Sequence, residues 1–218
     1  GTMDEHIASL LWTIAQEKKS FVSAAVPQFA GKSTVLYAML DHVPEGTPVH
    51  ALDGTIEEIR EFAKSPDGGY LELGEISTEK PSRYIWGEPV TALFETLNAG
   101  FSFATTMHTT GVDEVYQMIC EGNGISDGDA SMIQYVVHIK RFGEDKPTFW
   151  RRVDNVHEIS GVSGGVPAAL KLFEWHEEDD TFVANNPPNL LAASPAELAN
   201  RAELIRKQVA EANKAASS

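Results

Sequence analysis

The chain has 218 residues, 42% hydrophobic and 22% charged, with a formal net charge of −15. That balance suits a soluble globular protein with a sizeable core, built as one large domain or as a domain with an appendage. It argues against nucleic acid and anionic membrane surfaces as partners, because no basic block is present. No apolar run reaches the roughly 18 residues that would span a membrane, and nothing at the start reads as a signal peptide. The lone Cys120 excludes an internal disulfide and a multi-Cys zinc site; it reads as a small buried hydrophobe of a reducing cytoplasm.

In chain order, Asp4–Lys19 is expected as a helix, with Ile7, Leu10, Leu11, Ile14 and Ala15 on one face and Asp4 as its cap. Phe21–Val26 is a buried strand. Ser33–Leu40 is a helix, and Gly31-Lys32-Ser33-Thr34 stands between them. Strand, turn and helix around Gly-Lys-Ser form the setting of a P-loop, where free N–H groups and the helix dipole face phosphate oxygens. In it Phe29, Ala30, Gly31, Lys32, Ser33 and Thr34 would line a phosphate. Lys32 would reach the β- and γ-phosphates, and Ser33 would supply a hydroxyl to Mg²⁺. The pattern is imperfect: its first glycine is Val26, and Pro27 withdraws a donor. An ordinary helix start is the alternative.

Val49–Leu52 is a short strand, and Thr55–Ala63 a helix. Asp53 and Glu57 then sit just past a strand's carboxyl end, where open parallel sheets bind ligands. The competing reading is a helix cap and a solvated face. Pro66-Asp67-Gly68-Gly69 is a turn. Tyr70–Leu73 is a strand closing on Gly74-Glu75-Ile76, the shape of a Walker B element, although Glu72 interrupts its apolar run. A carboxylate such as Glu75 can hold Mg²⁺ through water or polarise an attacking water. Ser77–Gly87 is expected to be irregular. Glu88–Asn98 is a helix closed by Gly100, Phe101–Met107 a strand, and Val112–Glu121 helical. His108 is thus a third polar residue at a strand end, placed to sense a γ-phosphate or simply to satisfy the structure.

Ile133–Phe142 and Phe149–Ile159 form a hairpin split at Gly143–Pro147, which Val166–Glu174 and Thr181–Val183 extend. Residues 1–184 make the main domain, 185–193 a linker, and 194–218 a C-terminal helix and tail. That helix opens on a capping box at Ser194-Pro195-Ala196-Glu197 and runs to about Asn213.

The order of these pieces resembles the ATPases of type II and type IV secretion and of type IV pili, from about Ile7 to Phe173. AAVPQFAGKST resembles their Walker A, HALDGTIEE their acidic box, and YLELGEIS their Walker B. LNAGFSFATTMHTTGVDEVYQMI resembles the segment carrying their His box, and VVHIKRFGEDKPTFWRRVDNVHEISGV their late hairpin. The resemblance implies a RecA-like α/β fold with a mostly parallel sheet, flanking helices and an antiparallel edge. It implies ATP and Mg²⁺ as cofactors, the latter on Ser33 and Glu75, and Glu75, Glu57, Asp53 and His108 as catalytic candidates. It also implies a cytoplasmic homo-oligomer, a hexameric ring, working on an inner-membrane secretion or pilus platform. Arg141, Arg151 and Arg152 would then serve a neighbouring subunit's site.

The departures matter too. Val26 replaces the first Walker A glycine, and Ser77-Thr78 stands where the family has Arg-Asp. The family's N-terminal domain has no counterpart here. A non-hydrolysing scaffold or regulatory subunit of the same fold is therefore the alternative to a motor. A small-molecule P-loop kinase ranks last, because its basic lid would have only Lys80 and Arg83.

Overall fold

A computed structural model describes residues 1–65, 68–79 and 81–216. Pro66 and Asp67 of the expected turn, Lys80 of the expected lid and the last two residues of the expected tail lie outside this set.

Helix α1 (Glu5–Gln16) starts where the Asp4 carboxylate accepts the Ile7 N–H at 2.8 Å. Strand β1 (Phe21–Ala24) follows, shorter than expected because the chain turns away at Ala25; α2 (Lys32–Leu40) comes next. Then come β2 (Val49–Ala51), α3 (Ile56–Ala63), β3 (Gly69–Ile76), β4 (Tyr84–Ile85), α4 (Glu88–Asn98) and β5 (Phe101–Met107). After β5 run α5 (Val112–Gln117), a π-helical turn (Met118–Gly122), α6 (Asp127–Ala130) and β6 (Tyr135–Phe142). Strands β7 (Trp150–Ser163), β8 (Val166–His176) and β9 (Thr181–Ala184) lead to α7 (Pro195–Ala216).

The strands form one sheet in the order β2-β3-β5-β1-β6-β7-β8-β9, with β4 beside the end of β3. Strand β1 lies parallel to both β5 and β6, whereas β6, β7, β8 and β9 pair antiparallel. This is the expected architecture: a parallel core, an antiparallel edge and a terminal helix. Alternation along the strands divides the core into two layers. Val22, Leu71, Phe103 and Val136 face α3, α4 and α5, against Ile59, Leu93, Phe94 and Val115. Phe21, Tyr70, Ala104 and Val137 face α1 and α2, against Ile7, Leu10, Ile14 and Leu36. Burying each such Leu, Ile or Phe contributes about 1.5–3 kcal/mol.

Three details sharpen the expectations. Residues 77–87 are not wholly irregular, because Tyr84–Ile85 pairs parallel with Glu75–Ile76. Residues 185–193 are tied to the body: Asn189 and Leu190 N–H groups reach the buried Glu158 carboxylate, and Ala192 and Ala193 N–H groups reach Glu17. Helix α7 opens on the expected capping box, Ser194 N–H donating to Glu197 and Glu197 N–H to Ser194. It packs on α1, with Ala202 buried and Arg201 bonded to Thr13 and Gln16.

Candidate functional site

Parallel strands present their carboxyl ends on one edge, and there the sheet opens into a cleft of about 670 Å³. That size suits a small organic ligand. Phe29, Ala30, Gly31, Lys32, Ser33 and Thr34 all line it, as do Glu75 and His108. Asp53 and Glu57 do not belong to its lining. Both are exposed. Asp53 accepts the Thr55 N–H at 2.7 Å, which holds its carboxyl below the usual range, and its own N–H donates to Glu58. Thr55 caps α3, its hydroxyl accepting the Glu58 N–H, and the acidic residues flank that cap.

The loop from β1 to α2 takes its left-handed turns at Phe29 (φ 61°) and Gly31 (φ 96°). Val26 is not in that region, and its side chain is half exposed. The loop therefore closes without the conformational freedom that a glycine at position 26 would supply. Gly31 is the N-cap of α2, and no side chain caps the helix start. Lys32 is the first helical residue, its carbonyl accepting the buried Ser23 hydroxyl at 3.1 Å.

Beneath the loop lies a buried ionic cluster. Lys32 Nζ stands 3.0 Å from Glu75 Oε2, with side chains 10% and 2% exposed. The approach makes an ion pair, though not a well-angled hydrogen bond, and Lys32 Nζ has no other hydrogen-bond partner among the described residues. His108 Nδ1 donates to Glu75 Oε1 at 2.7 Å, which leaves Nε2 for a ligand. Thr106 Oγ1 lies 2.7 Å from Gly74 O and 3.0 Å from Glu75 Oε2, its one proton serving either. Burial pulls the Lys32 ammonium down from its ordinary pKa, and the charges of Glu75 and Glu79 offset that only in part. Burial alone would push Glu75 up, but His108 and Lys32 together hold it below the usual carboxylate range.

The strand geometry brings this about. Strand β3 carries a bulge: Glu72 pairs with Ala104 and Glu75 with Thr106, three residues against two. Two residues along β5 share a face, so Glu72 and Glu75 both point toward α2. A Cβ on Gly74 would lie 2.7 Å from Arg83 O, so only glycine lets β4 approach here. Arg83 then clasps Glu72 through Nη2, and its Nε donates to Leu52 O at 2.7 Å. Tyr37 OH donates to Glu72 at 3.3 Å. His108 follows β5, and the next residue is fixed by buried His138, whose Nε2 donates to Thr109 O at 2.7 Å.

Sequence reasoning missed Thr106, although it stands two before His108 and so shares its face. The hairpin residues Arg141 and Arg151, expected to serve a neighbouring subunit's site, touch the loop of their own chain. Arg141 Nη1 donates to Gln28 O at 2.7 Å, and Arg151 Nε and Nη2 both donate to Phe29 O, at 2.9 and 2.8 Å. Arg152 instead pairs with Asp180.

Among the described residues no cluster of three or more His, Cys, Asp or Glu is placed to hold a metal by itself. Ser33 and Glu75 remain the candidates, a sparse set of the kind Mg²⁺ accepts when phosphates complete its shell. No helix among the described residues is long and apolar enough to cross a membrane.

No family model and no curated protein matches the chain. Solved structures do. The VirB11 ATPase of the Brucella suis type IV secretion system, solved in complex with sulphate, matches with a TM-score of 0.53 and 13% identity, over 70% of this chain and 52% of that one. The Legionella pneumophila ATPase DotB matches with a TM-score of 0.50 and 15% identity, over 69% of this chain and 48% of that one. At these identities the likeness is one of fold, and the chain spans about half the length of these structures.

Proposed function

We propose that the chain binds ATP with Mg²⁺ and hydrolyses it, as the motor domain of a secretion or type IV pilus assembly ATPase. The observation that supports this best is the Lys32–Glu75–His108 cluster at the start of α2. The buried Lys32 ammonium is paired with Glu75 alone and shares that carboxylate with His108, so it keeps donor capacity that phosphate oxygens would fill. Bound ATP supplies the phosphoryl group and Mg²⁺ the charge that neutralises its oxygens. The chain's own residues do the rest. Lys32 holds the β- and γ-phosphates, and the backbone N–H groups at the start of α2 face the same oxygens. Ser33 offers its hydroxyl to the metal. Glu75, ionised at neutral pH, accepts a proton from the attacking water or holds the metal through water. His108 fixes the Glu75 carboxylate with Nδ1 and presents Nε2 to the γ-phosphate. Asp53 and Glu57, outside the cleft, are given no part. In this reading the protein is cytoplasmic and works as a ring, six subunits by the resemblance, against a platform protein in the inner membrane.

The second reading is a non-hydrolysing scaffold, favoured by Pro27, which withdraws a loop donor. Calorimetric titration with ATP, with and without Mg²⁺, followed by phosphate release on the same sample, separates the two. The motor reading expects Mg-dependent binding and slow turnover, both lost in Lys32→Ala. Binding without turnover selects the scaffold, and equal binding by Lys32→Ala defeats both.

A further inference from the structure

The hairpin β6–β7 carries two like-charged pairs directly across its strands: Lys140 opposite Arg152, and Arg141 opposite Arg151. Like charges so placed repel. The first pair is neutralised, Lys140 by Asp154 at 2.8 Å and Arg152 by Asp180 at 2.7 Å. The second pair has no carboxylate among the described residues and is spent on the backbone carbonyls of Gln28 and Phe29. Arg141 Nε is buried without a hydrogen-bond acceptor, its guanidinium lying 4.0 Å from the centre of the Phe149 ring. From the same hairpin, Lys146 Nζ stands 3.9 Å from the centre of the Phe29 ring. Three cations with no ion pair thus gather at two consecutive loop residues, beside Lys32, in a chain of net charge −15. Carbonyl dipoles offset only part of that charge. The cluster leaves net positive charge at the loop, which an anion of several charges would meet.

Arg151 is the member placed to meet it. It lines the cleft together with Lys32, Ser33 and His108. A Cβ on Gly31 would lie 3.1 Å from Arg151 Cδ, so the bare glycine lets the side chain cross the start of α2. Two bonds to one carbonyl fix the guanidinium plane, and Nη1 has no acceptor among the described residues. A guanidinium fork matches phosphate oxygens.

We infer that Arg151, backed by Arg141, binds the terminal phosphates of a nucleoside triphosphate in its own chain. The inference rests on the nucleotide reading above. It moves two arginines from a neighbour's site, where the sequence resemblance would put them, to the loop they touch. It also supplies side-chain donors to a loop in which Pro27 lacks one.

The test is calorimetric titration of the wild type, Arg151→Ala, Arg151→Lys and Lys64→Ala with Mg-ATP, Mg-ADP, AMP and inorganic tripolyphosphate, at one salt concentration. Lys64→Ala removes one positive charge outside the cleft and is expected to leave affinity unchanged. Arg151→Ala is expected to weaken ATP and tripolyphosphate about 10- to 100-fold, ADP less, and AMP hardly at all. Arg151→Lys keeps the charge without the fork; it is expected to fall between, and it carries the test if the alanine variant does not fold. Wild-type affinity for ATP in Arg151→Ala and Arg151→Lys would overturn the inference alone. So would an equal loss for ATP, ADP and AMP, which would make Arg151 a strut of the loop. A wild type that binds neither ATP nor tripolyphosphate would remove the nucleotide reading and this inference with it.

Discussion

Glu72 and Glu75 stand three residues apart on one strand, both buried, both turned to one face by the same bulge. Their surroundings differ in kind. Glu72 is clasped by Arg83, which is itself locked to Leu52 O and Glu72 O, and by Tyr37. Every partner there is committed, so the acid serves as a rivet between β3 and the loop before β4. Glu75 meets Lys32, whose ammonium lacks a well-angled acceptor, and His108, whose second nitrogen is unspent. The comparison teaches that burial and an ion pair do not mark a site. Unfilled bonding capacity beside the pair does.

The sharpest way to break the comparison is to neutralise each acid's role separately. Glu75→Gln keeps shape and loses the base. Phosphate release is expected to fall about 10²–10⁴-fold. ATP affinity is expected to hold or rise, since Lys32 is freed from its partner. Turnover unchanged in Glu75→Gln would remove Glu75 from the chemistry.

Next in size is Arg83→Met, which strands Glu72. Breaking a buried pair costs about 3–5 kcal/mol, and the low end applies here because Arg83 is 32% exposed. The expected drop in Tm is roughly 6–12 °C for a chain of this size, with ATP affinity little changed. Arg83 and Tyr37 border the same cleft, so a loss of affinity larger than the loss of stability would show that Arg83 also holds the ligand.

Acid titration comes third. The Glu75 carboxyl sits below its ordinary value in the folded chain, so the unfolded chain binds more protons in the acid range. The stability it contributes is present above about pH 4.3 and is lost as pH falls through the lower, folded value. Melting curves recorded from pH 6 downward should therefore fall more steeply for the wild type than for Glu75→Gln. Parallel curves would contradict the assignment.

The smallest effects belong to the atypical loop residues. Val26 does not occupy a left-handed conformation, so Val26→Gly is expected to change ATP affinity by less than about threefold. Pro27→Ser restores a donor and is expected to tighten binding by up to about tenfold. Calorimetry on the two single variants decides which residue limits the loop, and a larger gain from Val26→Gly would reverse the order.

What the sequence made legible follows from what is local. Helix α4 and strand β5 appear at their expected limits, because periodicity, a Pro near the helix start and Gly100 are all within reach of one another along the chain. Lys32 stands out through Gly31-Lys32-Ser33 at a helix start, and Glu75 and His108 because each ends or follows a core strand, where parallel strands put such residues on one edge. Strand β4 does not stand out, since two residues carry no period and exist as a strand only through pairing with β3. Arg141 and Arg151 are assigned by the resemblance to a neighbouring subunit's site, because nothing near residues 141–151 shows that a loop more than a hundred residues earlier supplies their acceptors. Asp53 and Glu57 read equally as ligands at a strand end or as a helix start with a solvated face, and the local bonds of Asp53 to Thr55 and Glu58 just before α3 fit the second.

Helix α7 is 22 residues long, about 33 Å, yet its one buried residue, Ala202, lies in the first third. Roughly 21 Å of helix therefore extends beyond its anchorage on α1. Such an arm converts angle into distance: a turn of about 10° at the α1 contact moves its far end by about 4 Å. Helix α1 leads directly into β1 and so into the loop that holds Lys32. A spectroscopic probe on the last turns of α7 would magnify small rotations of this end of the sheet, which a probe inside the core would scarcely register.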